Sequence, residues 1–185
     1  MTTNPTLGSP ALRLTTLGLY VWALLLLSLG GCKYYSFTGA NISPDIKTIS
    51  IGNFVDRSGG GPPTLSQLFT EKARDYFQRN TSLSGVSSNG DLQIEGSITG
   101  YSLTPIAAQA SNPNQPDVAA QTRLTITVMV KYANTKDTEA NFEQPFSFYA
   151  DFPQATPLAS IQNQLIETIS DQIMLDIFNK TVANW

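Results

Sequence analysis

Three stretches in the second half of the chain alternate apolar and polar residues with a period of two, and this limits the fold more tightly than anything else in the sequence. From Asp91 onward, Leu92, Ile94, Gly96, Ile98 and Gly100 share one side, while Gln93, Glu95, Ser97, Thr99 and Tyr101 share the other. Leu124, Ile126, Val128, Val130 and Tyr132 oppose Arg123, Thr125, Thr127, Met129 and Lys131 in the same way. Phe142, Phe146, Phe148, Ala150 and Phe152 oppose Glu143, Pro145, Ser147, Tyr149 and Asp151, with Gln144 the exception on the apolar side. Successive side chains of a strand point to opposite faces, so each apolar set lands on one face of a pleated sheet. The sheet is predicted to be one-sided, with one face buried and one wet.

A buried face needs a cover, and two helical patterns supply it. Leu65, Phe69, Ala73, Tyr76 and Phe77 recur at helical spacing, widened by Leu68, and Asn80 and Gly85 lie near a plausible stop. Thr64-Leu65-Ser66-Gln67 reads as a capping box opening this helix, Thr64 accepting from the third helical N–H while Gln67 reaches back. The second helix is announced by Thr156-Pro157, an N-cap followed by proline. Its apolar series is Ile161, Leu165, Ile169, Ile173 and Ile177, broadened by Leu158, Ile166, Met174 and Phe178. Burying each aliphatic side chain is worth about 1.5–3 kcal/mol, so this helix has to cover something.

A fourth strand is predicted over Ile46 to Phe54, where Ile49 and Ile51 alternate with Thr48 and Ser50 ahead of the loop Gly59-Gly60-Gly61-Pro62-Pro63. The order strand, helix, three strands, helix predicts an α+β two-layer sandwich, with two helices packed on one face of a four-stranded mixed sheet. Thr104 to Ala120 carries three prolines and many polar residues and reads as a long loop. Asn134 to Thr138 reads as a hairpin loop, and Pro145 assigns the last strand to the sheet edge.

The first 31 residues read as a targeting segment. Arg13 is the only charge before Lys33, and an apolar run from Leu17 to Leu29 is followed by Gly30-Gly31-Cys32. That run is short for a bilayer-spanning helix, which needs about 20 apolar residues, and fits the core of a signal peptide. Small residues directly before the lone cysteine resemble the lipobox of bacterial lipoproteins. The resemblance implies cleavage before Cys32 and acylation of Cys32, with several acyl chains giving stable membrane attachment. By the same resemblance Lys33, where aspartate commonly means inner-membrane retention in such lipoproteins, favours the outer membrane. The expected division is therefore a cleaved signal peptide over 1–31, a lipidated tether over 32–45 and a folded domain over 46–185. Loss of residues 1–31 takes away only Arg13 and moves the net charge from −3 to about −4. An acidic chain argues against nucleic-acid binding, which needs a concentrated basic face.

Catalytic groups are scarce. Histidine is absent, so there is no Ser-His or Cys-His nucleophile pair and no histidine metal ligand. Gly59-Gly60-Gly61 lacks the Lys-Ser or Lys-Thr of a phosphate-binding loop and is read as a spacer. Asp91, Glu95, Asp137, Glu139 and Glu143 are read as separate surface acids, and no cofactor or metal is expected. The wet sheet face is the feature left over. Its serines and threonines, with Arg123, Lys131, Tyr101, Tyr149 and Met129, form either a contact surface or an ordinary solvated face.

From Tyr35 onward the sequence resembles the LptE family of lipopolysaccharide-assembly lipoproteins. The matching pieces are Tyr35-Ser36-Phe37-Thr38-Gly39-Ala40, the strand Ile46 to Ile51, Thr64-Leu65-Ser66-Gln67, and Asp91 to Gly96 through Gly100-Tyr101. Asn134-Thr135-Lys136-Asp137 and the closing stretches Asp176 to Lys180 and Ala183-Asn184-Trp185 complete the likeness. The resemblance implies a lipid-anchored domain that plugs the outer-membrane β-barrel LptD, helps assemble it and aids placement of lipopolysaccharide in the outer leaflet. No lipid-binding motif matches position by position. Arg123, Lys131 and Lys136, close along one strand and its hairpin, are the candidate lipopolysaccharide-phosphate contacts. The alternative is a periplasmic lipoprotein that activates a cell-wall synthase or organises another envelope complex.

Overall fold

The alternating stretches become the long strands of a mixed sheet in the computed structural model, which describes residues 42–106 and 120–182. In chain order the elements are β1 (Thr48–Ile51), β2 (Val55–Asp56), α1 (Leu65–Asn80), β3 (Ser84–Val86), β4 (Leu92–Ile106), β5 (Gln121–Asn134), β6 (Phe142–Pro153) and α2 (Leu158–Val182). The predicted signal segment, Cys32, the tether up to residue 41, the middle of the predicted long loop and the closing Ala183-Asn184-Trp185 lie outside the described residues.

The strand order is β3-β1-β4-β5-β6, with β2 pairing β4 beside this path. β1 runs parallel to β3 and β4, and β2 parallel to β4. β4, β5 and β6 form an antiparallel ladder. The sheet therefore has six strands where four were predicted. The two additional strands, β2 and β3, are two and three residues long, too short to hold a readable alternation. Strand also replaces the first end of the predicted long loop, since Thr104 pairs Arg123 and Ile106 pairs Gln121, while β5 begins at Gln121, just past the loop's other end.

The apolar face is buried as the period requires. Leu124, Ile126, Val128 and Val130 are each 0% exposed. They belong to a single core cluster with Leu92, Ile94 and Ile98 from β4, Phe146 and Phe152 from β6, and Leu65, Phe69, Ala73 and Phe77 from α1. Ile166, Ile169, Ile173, Met174, Ile177 and Phe178 close it from α2. The two helices touch each other as well: Phe77 and Tyr76 pack against Phe178 with ring centroids 5.4 Å apart, and Lys72 pairs with Asp171. β6 lies at the edge of the sheet, as Pro145 predicts.

Two local expectations fail for physical reasons. Thr64 sits in the helical region (φ −83°, ψ −5°) and makes no side-chain cap, while Gln67 donates to Glu71 Oε1 at 2.8 Å. A capping side chain needs extended backbone at the N-cap, so no capping box forms. The helix after Pro157 begins at Leu158, with the Pro157 carbonyl accepting from Ser160 N at 3.1 Å.

The second failure moves a side chain across the sheet. The pairing register of β4 and β5 shifts between Ile98 and Gly100, leaving Thr99 as an extra residue. A bulge of this kind reverses the parity of everything after it. Tyr101 consequently faces the buried Ile126 and packs on the core from the helix side, where its hydroxyl accepts from Gln162 Nε2 of α2 at 2.9 Å. It was expected on the wet face.

Candidate docking face

The wet face is built in rows, one residue from each long strand. Glu95, Lys131 and Glu143 form one row, and Ser97, Met129 and Pro145 the next. Past the bulge come Gly100, Thr127 and Ser147, then Ser102, Thr125 and Tyr149, then Thr104, Arg123 and Asp151. No helix among the described residues covers this side, because α1 and α2 close the same apolar core on the other. Hydroxyls dominate the middle: Thr127 Oγ1 and Ser147 Oγ are 3.0 Å apart, and Ser147 Oγ also reaches the Ile126 carbonyl at 3.2 Å.

The three candidate phosphate contacts do not converge. Arg123 clasps Asp151 with two bonds, Nε to Oδ1 at 2.8 Å and Nη2 to Oδ2 at 2.9 Å. Its guanidinium carbon also lies 3.5 Å from the centre of the Tyr149 ring. This clasp raises the guanidinium's proton affinity and lowers that of the Asp151 carboxyl. Lys131 Nζ stands 4.0 Å from Glu95 Oε2, and Lys136 Nζ 3.4 Å from Asp91 Oδ1. A strand rises roughly 3.4 Å per residue, which separates Arg123 from Lys131 by about 27 Å. Each cation thus meets its own carboxylate.

Of the acids read as separate, Asp91 has a structural role. Its Oδ2 accepts from Lys47 N and Thr48 N at 3.0 Å and from Thr48 Oγ1 at 2.9 Å, while Asp91 N donates to Thr48 Oγ1 at 2.9 Å. The Lys47 and Thr48 donors, with Lys136 adding to them, hold this carboxyl at about 2. The group ties the start of β1 to the start of β4.

One concave feature was not legible from the sequence. A depression of about 440 Å³ opens on the wet face where β2 meets β4 and β5, and its lining includes Arg57, Lys131, Glu95, Glu143, Val55 and Met129. Arg57 is placed there by its N–H, which donates to the Ile98 carbonyl at 2.8 Å. Val55 beside it is 49% exposed, a large apolar side chain on an otherwise polar face. No group of three His, Cys, Asp or Glu side chains among the described residues is arranged to hold a metal. No helix among them is long and apolar enough to cross a membrane. The face itself is a polar, hydroxyl-rich surface with mixed charge.

The family model described as lipopolysaccharide-assembly, LptE, matches residues 46–181. Among solved structures, a hypothetical protein of Chlamydia trachomatis superposes with a TM-score of 0.51 at 8% identity, covering 75% of this chain and 99% of that one. The uncharacterized lipoprotein B of Nitrosomonas europaea gives a TM-score of 0.49 at 12% identity, covering 75% and 83% of the two chains. Rare lipoprotein B of Shewanella oneidensis gives 0.41 at 10% identity, covering 72% and 90%. No curated protein matches the chain in sequence. At such identities the Chlamydia likeness speaks for the α+β fold alone.

Proposed function

The chain belongs to the LptE family of lipopolysaccharide-assembly proteins, and from that premise we propose that it is a lipid-anchored lipoprotein that helps assemble and plugs the outer-membrane β-barrel LptD. In that place it aids insertion of lipopolysaccharide into the outer leaflet. The observation that carries this reading is the sheet face opposite the helices, free of cover from the described residues, polar along its rows and continuous over three strands. The lumen of a large outer-membrane barrel is polar and hydrated, so such a face docks there without exposing the core. The protein acts by binding and not by catalysis.

Attachment falls to Cys32, the only cysteine of the chain. Acyl chains on it hold the domain at the periplasmic side of the outer membrane, two or more being needed for stable anchoring. Cys32→Ala is expected to leave the signal segment uncut and to release the protein from the acylated, membrane-bound fraction. Normal processing and attachment of that variant would remove the anchor from the account.

Contact with lipopolysaccharide phosphates is proposed for Arg123, Lys131 and Lys136, with Arg57 added because it shares a depression with Lys131. Replacing the first three together by serine is expected to weaken lipopolysaccharide binding, and an unchanged affinity removes them.

The docking face has its own test. Thr127→Arg with Ser147→Arg places two charges in the middle of the wet face and leaves the core untouched. Recovery of the barrel with the protein is expected to fall about tenfold or more, the equivalent of ~1.4 kcal/mol, while the thermal midpoint changes little. Undiminished recovery would show that the barrel is met elsewhere.

A further inference from the structure

The outer edge of β6 is a long run of strand backbone that no strand of the described residues pairs. In an antiparallel ladder the residues alternate between exchanging hydrogen bonds with the neighbour and aiming N–H and C=O away from it. Gln154 donates its N–H to the Ala120 carbonyl at 3.0 Å, and the register continues unbroken through Phe152 on Thr122 to Phe142 on Tyr132. The even-numbered residues of β6 therefore bond to β5. Glu143, Pro145, Ser147, Tyr149, Asp151 and Pro153 present their backbone outward.

Two of these six have no N–H to present. Pro145 and Pro153 stand four residues to either side of Tyr149. The outward row is thus complete only at Ser147, Tyr149 and Asp151, and it is symmetric about Tyr149. Residues 146–152 read Phe-Ser-Phe-Tyr-Ala-Asp-Phe, with one charge and no lysine. Monomers usually blunt such an edge with charge, proline or a covering segment, and here the prolines blunt only its two ends. A closed barrel wall has no strand edge of its own to offer in exchange.

We propose that, before the chain meets a partner, β6 pairs antiparallel with β6 of a second copy about a two-fold axis at Tyr149. The register is self-complementary in the sense a two-fold contact requires. Tyr149 faces Tyr149 of the second copy, and Ser147 faces Asp151. Phe146 faces Phe152 on the helix side, and each proline faces the other proline, so the pairing window closes at the same place in both chains. Charges agree with this arrangement. Asp151 is already neutralised by Arg123 within its own chain and meets a serine, so no like charges oppose one another across the window.

The full chain carrying Tyr149→Cys, overproduced and oxidised mildly in its membranes, tests this. Directly opposed residues that exchange backbone bonds have Cα atoms about 5.5 Å apart, within disulfide reach. Ser147→Cys stands about 14 Å from its own counterpart, well beyond that reach. A cross-linked species of twice the chain's mass is expected for Tyr149→Cys and absent for Ser147→Cys, and Ser147→Cys combined with Asp151→Cys restores it. A Tyr149→Cys band no stronger than that of Ser147→Cys, or of the natural chain with Cys32 alone, overturns the proposal. So does a Tyr149→Cys cross-link to a different protein. Barrel recovery with the natural chain is read separately, so the docking reading and this one fail independently.

Discussion

In the half of the sheet built from β4, β5 and β6, strands of 12 to 15 residues pair along most of their length, and their buried side chains belong to the core that α1 and α2 close. In the half built from β1, β2 and β3, no strand exceeds four residues, and side chains hold the backbone in place. Asp91 binds Lys47 and Thr48, and Thr70 of α1 accepts from Phe54 N at 2.9 Å while donating to the Ser66 carbonyl at 2.7 Å. Arg74 donates to the Ile51 carbonyl at 3.2 Å and to Asn53 Oδ1 at 2.8 Å. A long ladder with a buried face is held by packing. Short parallel strands, with few ladder bonds of their own, depend on named polar contacts.

The contrast predicts different sensitivities in the two halves. The largest loss is expected from a cavity in the long half. Ile126→Ala, at a residue 0% exposed, should cost about 2–5 kcal/mol in denaturant unfolding. A cost under 1 kcal/mol would mean that the ladder, and not the packing, holds that half. Next comes Thr70→Val, which is close in shape but leaves the Phe54 N–H without its partner in a buried place. About 1–3 kcal/mol should be lost, and amide exchange at Phe54 should quicken more than exchange along β5. Equal quickening in both halves would erase the distinction.

The smallest effect is a pH dependence. The Asp91 carboxyl is held at about 2, below its ordinary 3.8, so it binds a proton less readily when folded than when unfolded. Its contribution is full above the ordinary value and is lost as the pH falls from about 4 toward 2. The thermal midpoint of the natural chain should drop across that window, and Asp91→Asn should drop less steeply from a lower starting point. Parallel curves for the two proteins would remove Asp91 as the tie between β1 and β4.

The same contrast governs what could be read from the sequence. Leu124 to Tyr132 and Phe142 to Phe152 show enough periods of alternation to fix strand, face and edge together. Val55-Asp56 and Ser84-Gly85-Val86 contain too few residues to show any period, so two strands were missed. Arg57 was missed with them, since only the pairing of β2 with β4 brings it to the wet face. Tyr101 was misplaced because one extra residue at Thr99 reverses the parity, although Gly100 beside it is a usual mark of a bulge. A capping box was expected at Thr64 from residue types alone, but backbone angles decide a cap, and the turn after Pro62 puts Thr64 into the helix. The wet face itself was legible. Whether it would be crossed by bonded charge pairs was not, because Arg123 and Asp151 are distant in sequence and meet only through the register of β5 and β6.

In the proposed function this face is covered by a large barrel. The direct measurement is to solubilise membranes from cells making the natural chain at its ordinary level, capture it under mild detergent, and identify what comes with it in a one-to-one ratio. A large outer-membrane β-barrel is the predicted result. Recovery of a cell-wall synthase in that ratio, or of the chain with no stoichiometric companion, would contradict it.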